Sequence, residues 1–362
     1  MIKTIRVLHT EWSNGWGGQE IRIIHEMKMM RSEGAEVYLA CRENSMIKDE
    51  AIANNIKVFS LPFRGNTDLK TLFHLKKIIK YYSIDIVNTH SGKDTWVGGL
   101  AAKLAGVKFI RTRHLSNKIN PSRLNFINEL ADYIFTTGEK VRDDMIEYNR
   151  IKANKIISIP TGIDESIFNP ESFNRDECRK KLTINDSEIA IGILAILRQF
   201  KRHDLFLNMA KSLIEKYPSK RLVFIIAGNG PQKENIVKII NELNLTENVK
   251  MVGHINNVPE FLCAIDILVL SSDSKEGVPQ SVMQGLFMNK PVVSSDSGST
   301  RDLFNHNNFQ LIQKGSIEAL INGVSIYLDN MNEVSSRKYM MENFSSSVMV
   351  KKIMTSYEKI LE

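Results

Sequence analysis

A carboxylate at Glu276, followed by Gly277, ends the apolar run Ile265 to Leu270 and precedes a helix-forming segment. In the stretch SSDSKEGVPQSVMQGLFMNKPVVSSDSG (271–298), Pro279 suits a first helical position, and Val282, Met283, Leu286 and Phe287 share one face. Asn289 suits the left-handed conformation that closes a helix, and Pro291 stops it. The result is a strand–loop–helix–strand unit with polar groups at strand ends, where parallel α/β sheets bind ligands. Upstream, LRQFKRH (197–203) puts Arg198 and Lys201 after another strand pattern. Those cations suit a diphosphate, Arg198 through two parallel hydrogen bonds.

Other loops add further candidates. Gly17 and Gly18, in NGWGGQE (14–20), let backbone N–H groups approach a ligand at a helix N-terminus. A dinucleotide fingerprint needs a third glycine where Glu20 stands, which argues against a nicotinamide cofactor. Gly228-Asn229-Gly230-Pro231 reads as a tight turn opening a helix. His90, in NTHS (88–91), and His114, in RTRH (111–114), fall in loops at strand ends. They line one wall of a cleft on one reading and are structural hydrogen-bonders on the other. Arg111, Arg113, Lys118 and Arg123, with Leu115, Ile119, Leu124 and Phe126 interspersed, read equally as a membrane-facing or a solvated basic segment. No two aspartates are separated by one residue, and Cys and His lack zinc-like spacing, so no metal site is expected.

The elements that must position these groups alternate in period. Short β-branched runs at 5–8, 37–40, 58–61, 84–87, 108–110, 133–135 and 156–159 are separated by helix-length amphipathic stretches. A second set of strands is expected at 189–197, 222–227, 249–252, 265–270, 291–294 and 309–312. This alternation predicts parallel sheets built from βαβ units. The stretch 161–174 reads as a linker. We therefore expect two doubly wound α/β domains facing each other across a cleft, 1–168 and 169–344. Val350, Ile353, Met354, Tyr357, Ile360 and Leu361 form one stripe of a last helix, about 345–362.

Bulk composition narrows the class. The 362 residues are 43% hydrophobic and 25% charged, ordinary globular values. Cys41, Cys178 and Cys263 lie beside apolar residues and read as buried free thiols. No apolar run approaches a membrane span, and the N-terminus lacks a signal-peptide pattern, so a cytoplasmic location is expected. Residues 1–168 hold 25 Lys and Arg against 19 Asp and Glu, nearly all of the net charge of +7. This bias fits an anionic membrane surface or a phosphate-bearing partner, with peripheral membrane association, or simply a solvated basic surface. No aromatic-interleaved basic motif points to nucleic acid.

The ordered set GGQE, VNTHS, RTRH, IPTGIDESIFNP, LRQFK, AGNGP, VGHINNVPEFLCAIDILVLSS and EGVPQSVMQGLFMNKPVVSSDSG resembles the retaining GT-B glycosyltransferases of family 4 along nearly the whole chain. The resemblance implies two Rossmann-like domains with the last helix returning to the first. It implies a nucleotide-sugar donor held mainly by the second domain and a glycan or lipid-linked acceptor held by the first. Arg198 and Lys201 would grip the donor diphosphate and Glu276 the sugar hydroxyls. Gly17 and Gly18 would lie beside the reacting centre and His114 near the transferred sugar, with Glu276, His114, Arg198 and Lys201 as the catalytic set. Gly228, Gly230, Gly277 and Val278 complete the donor-binding set, and Trp16, His90 and Arg113 are candidates on the acceptor side. No cofactor or metal is implied.

One position departs from the family pattern. E-x7-E counted from Glu276 reaches Gln284, which can bond a ribose hydroxyl but without charge assistance. A uridine diphosphate donor and a role in bacterial surface polysaccharide or lipopolysaccharide synthesis are the expected specifics. A nucleotide-sugar 2-epimerase on the same scaffold, or a non-catalytic sugar-nucleotide binding protein, remain the alternatives.

Overall fold

Both sets of apolar runs form fully parallel sheets in the computed structural model, which describes residues 4–114, 119, 123–274, 276–305, 308–330 and 335–362. The chain divides into two units, Met1–Gly162 with Ser346–Glu362, and Ile163–Ser345. The division falls at 162/163 because Ile163 donates its N–H to Phe344 O and pairs with Ser345, within the second unit. Each unit is described separately.

The first unit contains β1 (Arg6–Glu11), α1 (Gly18–Ser32), β2 (Glu36–Cys41), α2 (Met46–Ala53), β3 (Lys57–Ser60), α3 (Leu69–Tyr81) and β4 (Ile86–Thr89). It continues through α4 (Gly92–Ala105), β5 (Lys108–Arg113), β6 (Tyr133–Thr136), α5 (Glu139–Glu147) and β7 (Ile156–Ser158). The sheet order is β3-β2-β1-β4-β5-β6-β7, so the winding reverses between β1 and β4. Local signals explain the helix ends. Ser91 and Asp94 form a reciprocal capping box that starts α4, and left-handed Gly106 closes it. Asp68 caps α3 by accepting from Thr71 N at 3.2 Å.

The second unit holds α6 (Arg175–Lys181), β8 (Glu188–Leu194), α7 (His203–Lys216), β9 (Arg221–Ala227), α8 (Lys233–Glu242), β10 (Val249–Gly253) and α9 (Val258–Ala264). After these come β11 (Ile267–Leu270), α10 (Gln280–Phe287), β12 (Val292–Ser295), β13 (Gln310–Ile312), α11 (Ile317–Asp329) and α12 (Arg337–Phe344). Its strand order, β10-β9-β8-β11-β12-β13, reverses between β8 and β11. Ile191 and Ile193 of β8 face one apolar layer and Ala190 faces the other. Both faces are covered, which is why these strands read as continuous apolar runs. The final helix, α13 (Ser346–Leu361), packs its Val350, Ile353 and Tyr357 into the first unit's core. Met354 and Ile360 pack at the edge of that core, while Leu361 is exposed.

Several expected details shift. The NTHS and RTRH segments begin inside strands, since β4 runs to Thr89 and β5 to Arg113. Arg111 is buried, not on a basic surface, because its position in β5 turns it into the unit. Of the same segment, Leu115 and Lys118 lie outside the described residues, as do the side chains of Arg123 and Leu124. Ile119 packs against the core, whereas Phe126 is exposed and meets Trp96 edge-on at 5.1 Å. The three cysteines are buried and free. Among the described residues, no helix is long and apolar enough to cross a membrane.

A buried arginine fastens the second unit. Arg179 donates to Ala264 O at 3.2 Å, Asp266 Oδ2 at 3.2 Å, Asn185 O at 2.6 Å and Glu188 O at 2.7 Å. Arg179→Met therefore removes one of two arginines from Asp266, which keeps Arg175 and Ala190 N, and takes a donor from three carbonyls in the interior. The expected loss is about 2–4 kcal/mol of stability, measured by urea denaturation followed by circular dichroism; a loss below about 1 kcal/mol would contradict this role.

Candidate active site

In the second unit, polar side chains gather at the carboxyl ends of β8, β11 and β12. Glu276 is buried and receives a hydrogen bond from Lys201 Nζ to Oε1 at 2.5 Å. Both side chains are largely covered, 12% exposed for Lys201 and 8% for Glu276, so the pair works in a poorly screened setting. The Oε2 of Glu276 has no hydrogen-bond partner among the described residues. Arg198 is exposed and makes no ion pair among the described residues. The two sequence-predicted cations thus differ: Lys201 is neutralised and Arg198 is free.

Backbone contacts set this geometry. Ser271 Oγ donates to Lys201 O and Arg202 O, both at 2.9 Å, and Asp273 N donates to Phe200 O at 3.0 Å. These bonds tie the loop after β11 to the loop after β8. On the other side, Ser299 N donates to Gly277 O at 3.2 Å. Gly298 has φ +58, and a Cβ there would fall 1.9 Å from Glu276 O. Only glycine lets the 297–299 loop close on the Glu276 backbone. Arg202 opens α7 in a left-handed conformation, held by Asp204 in a two-bond clasp and by Asp273 at 3.3 Å.

Unmet hydrogen-bonding capacity collects here. The hydroxyls of Ser272, Ser295, Ser297 and Ser299 are buried without hydrogen-bond partners among the described residues. The first turn of α10, entered through Pro279, has no side-chain cap. Orphan N–H groups at a helix N-terminus favour an anion. Val278 lies half-buried in the loop that leads to Pro279. Gln284 lies half-buried on α10 and makes no side-chain hydrogen bond among the described residues. A cavity of about 590 Å³ lies alongside, lined in part by Arg198, Phe200, Arg202, Gln232 and Asn235. It shares Arg198 with this group but not Lys201 or Glu276.

Gly228 and Gly230 have another task. A Cβ at Gly228 would meet Ala195 O at 1.9 Å, and one at Gly230 would meet Leu197 O at 2.6 Å. The Gly228 N–H already donates to Gly253 O at 2.7 Å. These glycines let the loop after β9 lie against the loop after β8.

In the first unit, the reversal between β1 and β4 carries a row of histidines. His9 Nδ1 and His90 Nε2 are 2.9 Å apart, as are His90 Nδ1 and His114 Nε2. His90 is buried, with both ring nitrogens taken by other histidines, so it has none left for an acceptor substrate. His114 is half-buried at the row's outer end. Burial pushes the His9 pKa down to about 3. His90 and His114 are also held well below the usual range, by burial first, then at His90 by the two neighbouring histidines and at both by Arg22 and Arg111. The row is therefore neutral near pH 7.

Charged neighbours surround it. Arg22 and Glu26 of α1 form a fully buried pair at 3.5 Å, and Arg22 reaches Thr161 Oγ1 at 3.2 Å. Asn88 donates to Tyr357 of α13 at 3.1 Å and accepts from Thr112 at 2.9 Å. Asp94 accepts from Thr10 Oγ1 at 2.7 Å and from His90 N at 2.9 Å. Glu11 accepts from Ser13 N and Gln19, and burial, with Asp94 adding, pushes its pKa up to about 8. Arg113 is half-buried, and burial lowers its pKa. Trp16 is 39% exposed. Gly17 precedes α1 with extended backbone, and a Cβ there would meet only ordinary contact, 3.6 Å from Glu20 Oε2. Its surroundings do not require glycine. Gly18 begins α1.

Two family matches divide along the same lines. Residues 16–167 match Glycosyltransferase Family 4, and residues 174–345 match Glycosyl transferases group 1. The chain belongs to the family 4 glycosyltransferases of the GT-B fold. It is 25% identical to the UDP-Gal:alpha-D-GlcNAc-diphosphoundecaprenol alpha-1,3-galactosyltransferase of Escherichia coli, over 98% of this chain and 96% of that protein. A glycosyltransferase of Rickettsia africae superposes with a TM-score of 0.91 at 19% identity, covering 99% of each chain. Anabaena HepE in complex with UDP-glucose gives 0.81 at 18% identity, covering 98% of this chain and 100% of that one. Among the described residues of this glycosyltransferase, no cluster of three His, Cys, Asp or Glu could hold a metal ion.

Sequence reasoning missed His9, Glu11, Arg22, Glu26 and Asp94. His9 and Glu11 follow the apolar run 5–8 and belong to β1, which extends to Glu11. Arg22 and Glu26 have the i,i+4 spacing common to solvated helix pairs, and only their apolar flanks, IRIIHEM, point to burial.

Neutral buried histidines link stability to pH. His9 has a folded pKa of about 3 against 6.5 unfolded, so its contribution is complete above 6.5 and is lost as pH falls through that value. Glu11 and other buried acids act with the opposite sign, so the test isolates one group. The stability gap between wild type and His9→Gln should narrow by about 1.4 kcal/mol from pH 7.5 to pH 5.5. Tryptophan fluorescence during urea unfolding reads this, since Trp12, Trp16 and Trp96 all lie in the first unit. A gap that stays constant or widens would show that His9 is not buried neutral.

Proposed function

We propose that this glycosyltransferase transfers a sugar with retained configuration from a nucleoside diphosphate, uridine diphosphate by preference, to a glycan or lipid-linked acceptor. The setting is bacterial surface polysaccharide or lipopolysaccharide synthesis. The observation that carries this reading is the buried Lys201–Glu276 pair beside the unpaired Arg198. Arg198 grips the diphosphate with its planar fork. Lys201 uses one N–H on Glu276 and keeps two for phosphate oxygens. Glu276 has Oε2 left for a sugar hydroxyl, and the uncapped turn of α10 adds backbone N–H groups for negative charge.

As the sugar–phosphate bond breaks, negative charge grows on the leaving diphosphate and positive charge on the anomeric carbon. Cations and N–H groups already in place stabilise that state more than the ground state. The acceptor attacks from the side the nucleotide leaves, and the departing phosphate takes its proton. The first unit holds the acceptor and supplies His114, with Gly17 and Gly18 close to the reacting sugar. The groups around the diphosphate are cationic, so the scheme uses no divalent metal.

The finer specifics draw support from relatives. The Escherichia coli relative uses UDP-Gal, a lipid diphosphate acceptor and an alpha linkage in its name, the outcome that retention gives from an α-linked donor. HepE is described with UDP-glucose. The basic excess of the first unit suits an acceptor carried by an anionic membrane.

Glu276→Ala removes the sugar anchor and leaves Lys201 without its partner. With a UDP-sugar and a lipid-linked acceptor in the presence of EDTA, wild type should form product and the variant should lose at least about 100-fold in kcat/KM. Turnover by the variant within a few-fold of wild type would remove Glu276 from the site. Gln284→Glu restores a charged acceptor for the ribose and should tighten donor binding by about 1–2 kcal/mol, read by titration calorimetry. Weaker binding of similar size would show that residue 284 does not face the ribose.

A further inference from the structure

The three histidines of the first unit are joined in a way that restricts their protons. Each N···N contact of 2.9 Å holds one hydrogen between the rings. A neutral imidazole has one N–H and one lone pair. The hydrogens along the row must then all point the same way, which leaves two arrangements. In one, His114 carries its proton on Nδ1 and His9 ends the row with a lone pair on Nε2. In the other, His114 carries its proton on Nε2, inside the row, and His9 ends with an N–H.

The two ends differ. His9 Nε2 is buried and has no partner among the described residues. His114 Nδ1 has no partner among the described residues and is not sealed in the interior. A buried N–H without an acceptor is the rarer defect, so the closed end favours the lone pair. The charged groups around the row are Arg22 on α1, Arg111 and Arg113 on β5, Asp94 on α4 and Glu11 on β1. Burial disfavours an extra proton on each ring, and Arg22 and Arg111 add to this at His90 and His114, which keeps the one-directional arrangement. The rings are also held in place by packing. His9 and His90 stack at 5.2 Å and 7°, and His90 and His114 lie 5.2 Å apart at 36°.

We infer that His90, braced by His9, is a positioning residue that holds His114 as a neutral hydrogen-bond donor through Nδ1. His114 then offers a substrate oxygen an N–H and is not a base. The functional half of this inference rests on the proposed role of His114 in transfer, whereas the proton arrangement is a property of the free protein.

The test begins with ¹⁵N NMR of the histidine rings in the ligand-free wild type at neutral pH. His114 should show a protonated Nδ1 and an unprotonated Nε2; the reverse pattern, or an even mixture, overturns the inference. His90→Leu removes both bonds, so His114 should populate both forms, and kcat should fall about ten-fold with little change in the donor KM. His90→Gln keeps an acceptor and a donor at similar spacing, and should restore the Nδ1–H form and bring kcat within about three-fold of wild type. An unchanged His114 spectrum in His90→Leu would overturn the positioning role, and the spectrum of wild type decides the proton arrangement even where that variant does not fold. If the spectra follow expectation but His114→Ala keeps full turnover, the proposed part of His114 in transfer fails while the proton arrangement stands.

Discussion

A carboxylate buried at the edge of an apolar sheet is stable only when paired, and Lys201 supplies that pairing for Glu276 at 2.5 Å. Much of the second unit's upper edge follows from this requirement. Lys201 must be brought to the end of β11, so the loop after β8 is fastened there by Ser271 and by Asp273 N. Arg202 must then turn left-handed to start α7, a strain offset by its clasp with Asp204 and Asp273. Glu276 must be held from behind, so position 298 has to be glycine. The same contacts leave Arg198 exposed, which separates a structural cation from a free one within four residues.

The first unit meets the opposite constraint. Its polar residues at the β1/β4 reversal are buried, and no single ion pair neutralises them. Arg22 Nε faces Glu26 Oε2 at 3.5 Å without forming a hydrogen bond, and Nη2 of Arg22 has no hydrogen-bond partner among the described residues. Burial opposes charge on these groups. The three histidines stay neutral and Glu11 tends to keep its proton, so the site there consists mainly of dipoles and hydrogen bonds. One unit thus presents fixed charge suited to a diphosphate, and the other presents oriented neutral groups.

Sequence reasoning reached the first kind of site more readily than the second. Glu276, Arg198 and Lys201 stand in loops beside turn residues, where charge is conspicuous and strand periodicity has ended. The alternation of apolar runs and amphipathic helices was enough to predict parallel sheets, because strands covered on both faces leave an unbroken apolar signature. His9, by contrast, is one polar residue inside the strand RVLHTE, and nothing in its spacing to His90 or His114 reveals a row. The 81 residues between His9 and His90 are brought together by the pairing of β1 with β4, which is information carried by topology. Arg111 was misplaced for a related reason. A basic residue between apolar neighbours reads as amphipathic, whereas β5 turns it inward among groups that tolerate it.

The stretch 271–298 combines both lessons. Its strand, turn and helix were visible in the sequence, and Asn289 does adopt φ 52 at the end of α10. Gln284 could be located on that helix by counting from Glu276, yet its consequence depends on what surrounds it. It is half-buried with a free amide, next to a turn whose N–H groups already favour negative charge. Against such a background a neutral amide lowers the total negative charge near an incoming diphosphate. In the proposed donor mode the glutamine forgoes one charge-assisted bond to a hydroxyl, and the relief of phosphate repulsion offsets that loss only in part. In that proposed mode the residue tunes how the donor is held, whereas Glu276, fixed by Lys201 and Gly298, is the group on which the geometry of the loops depends.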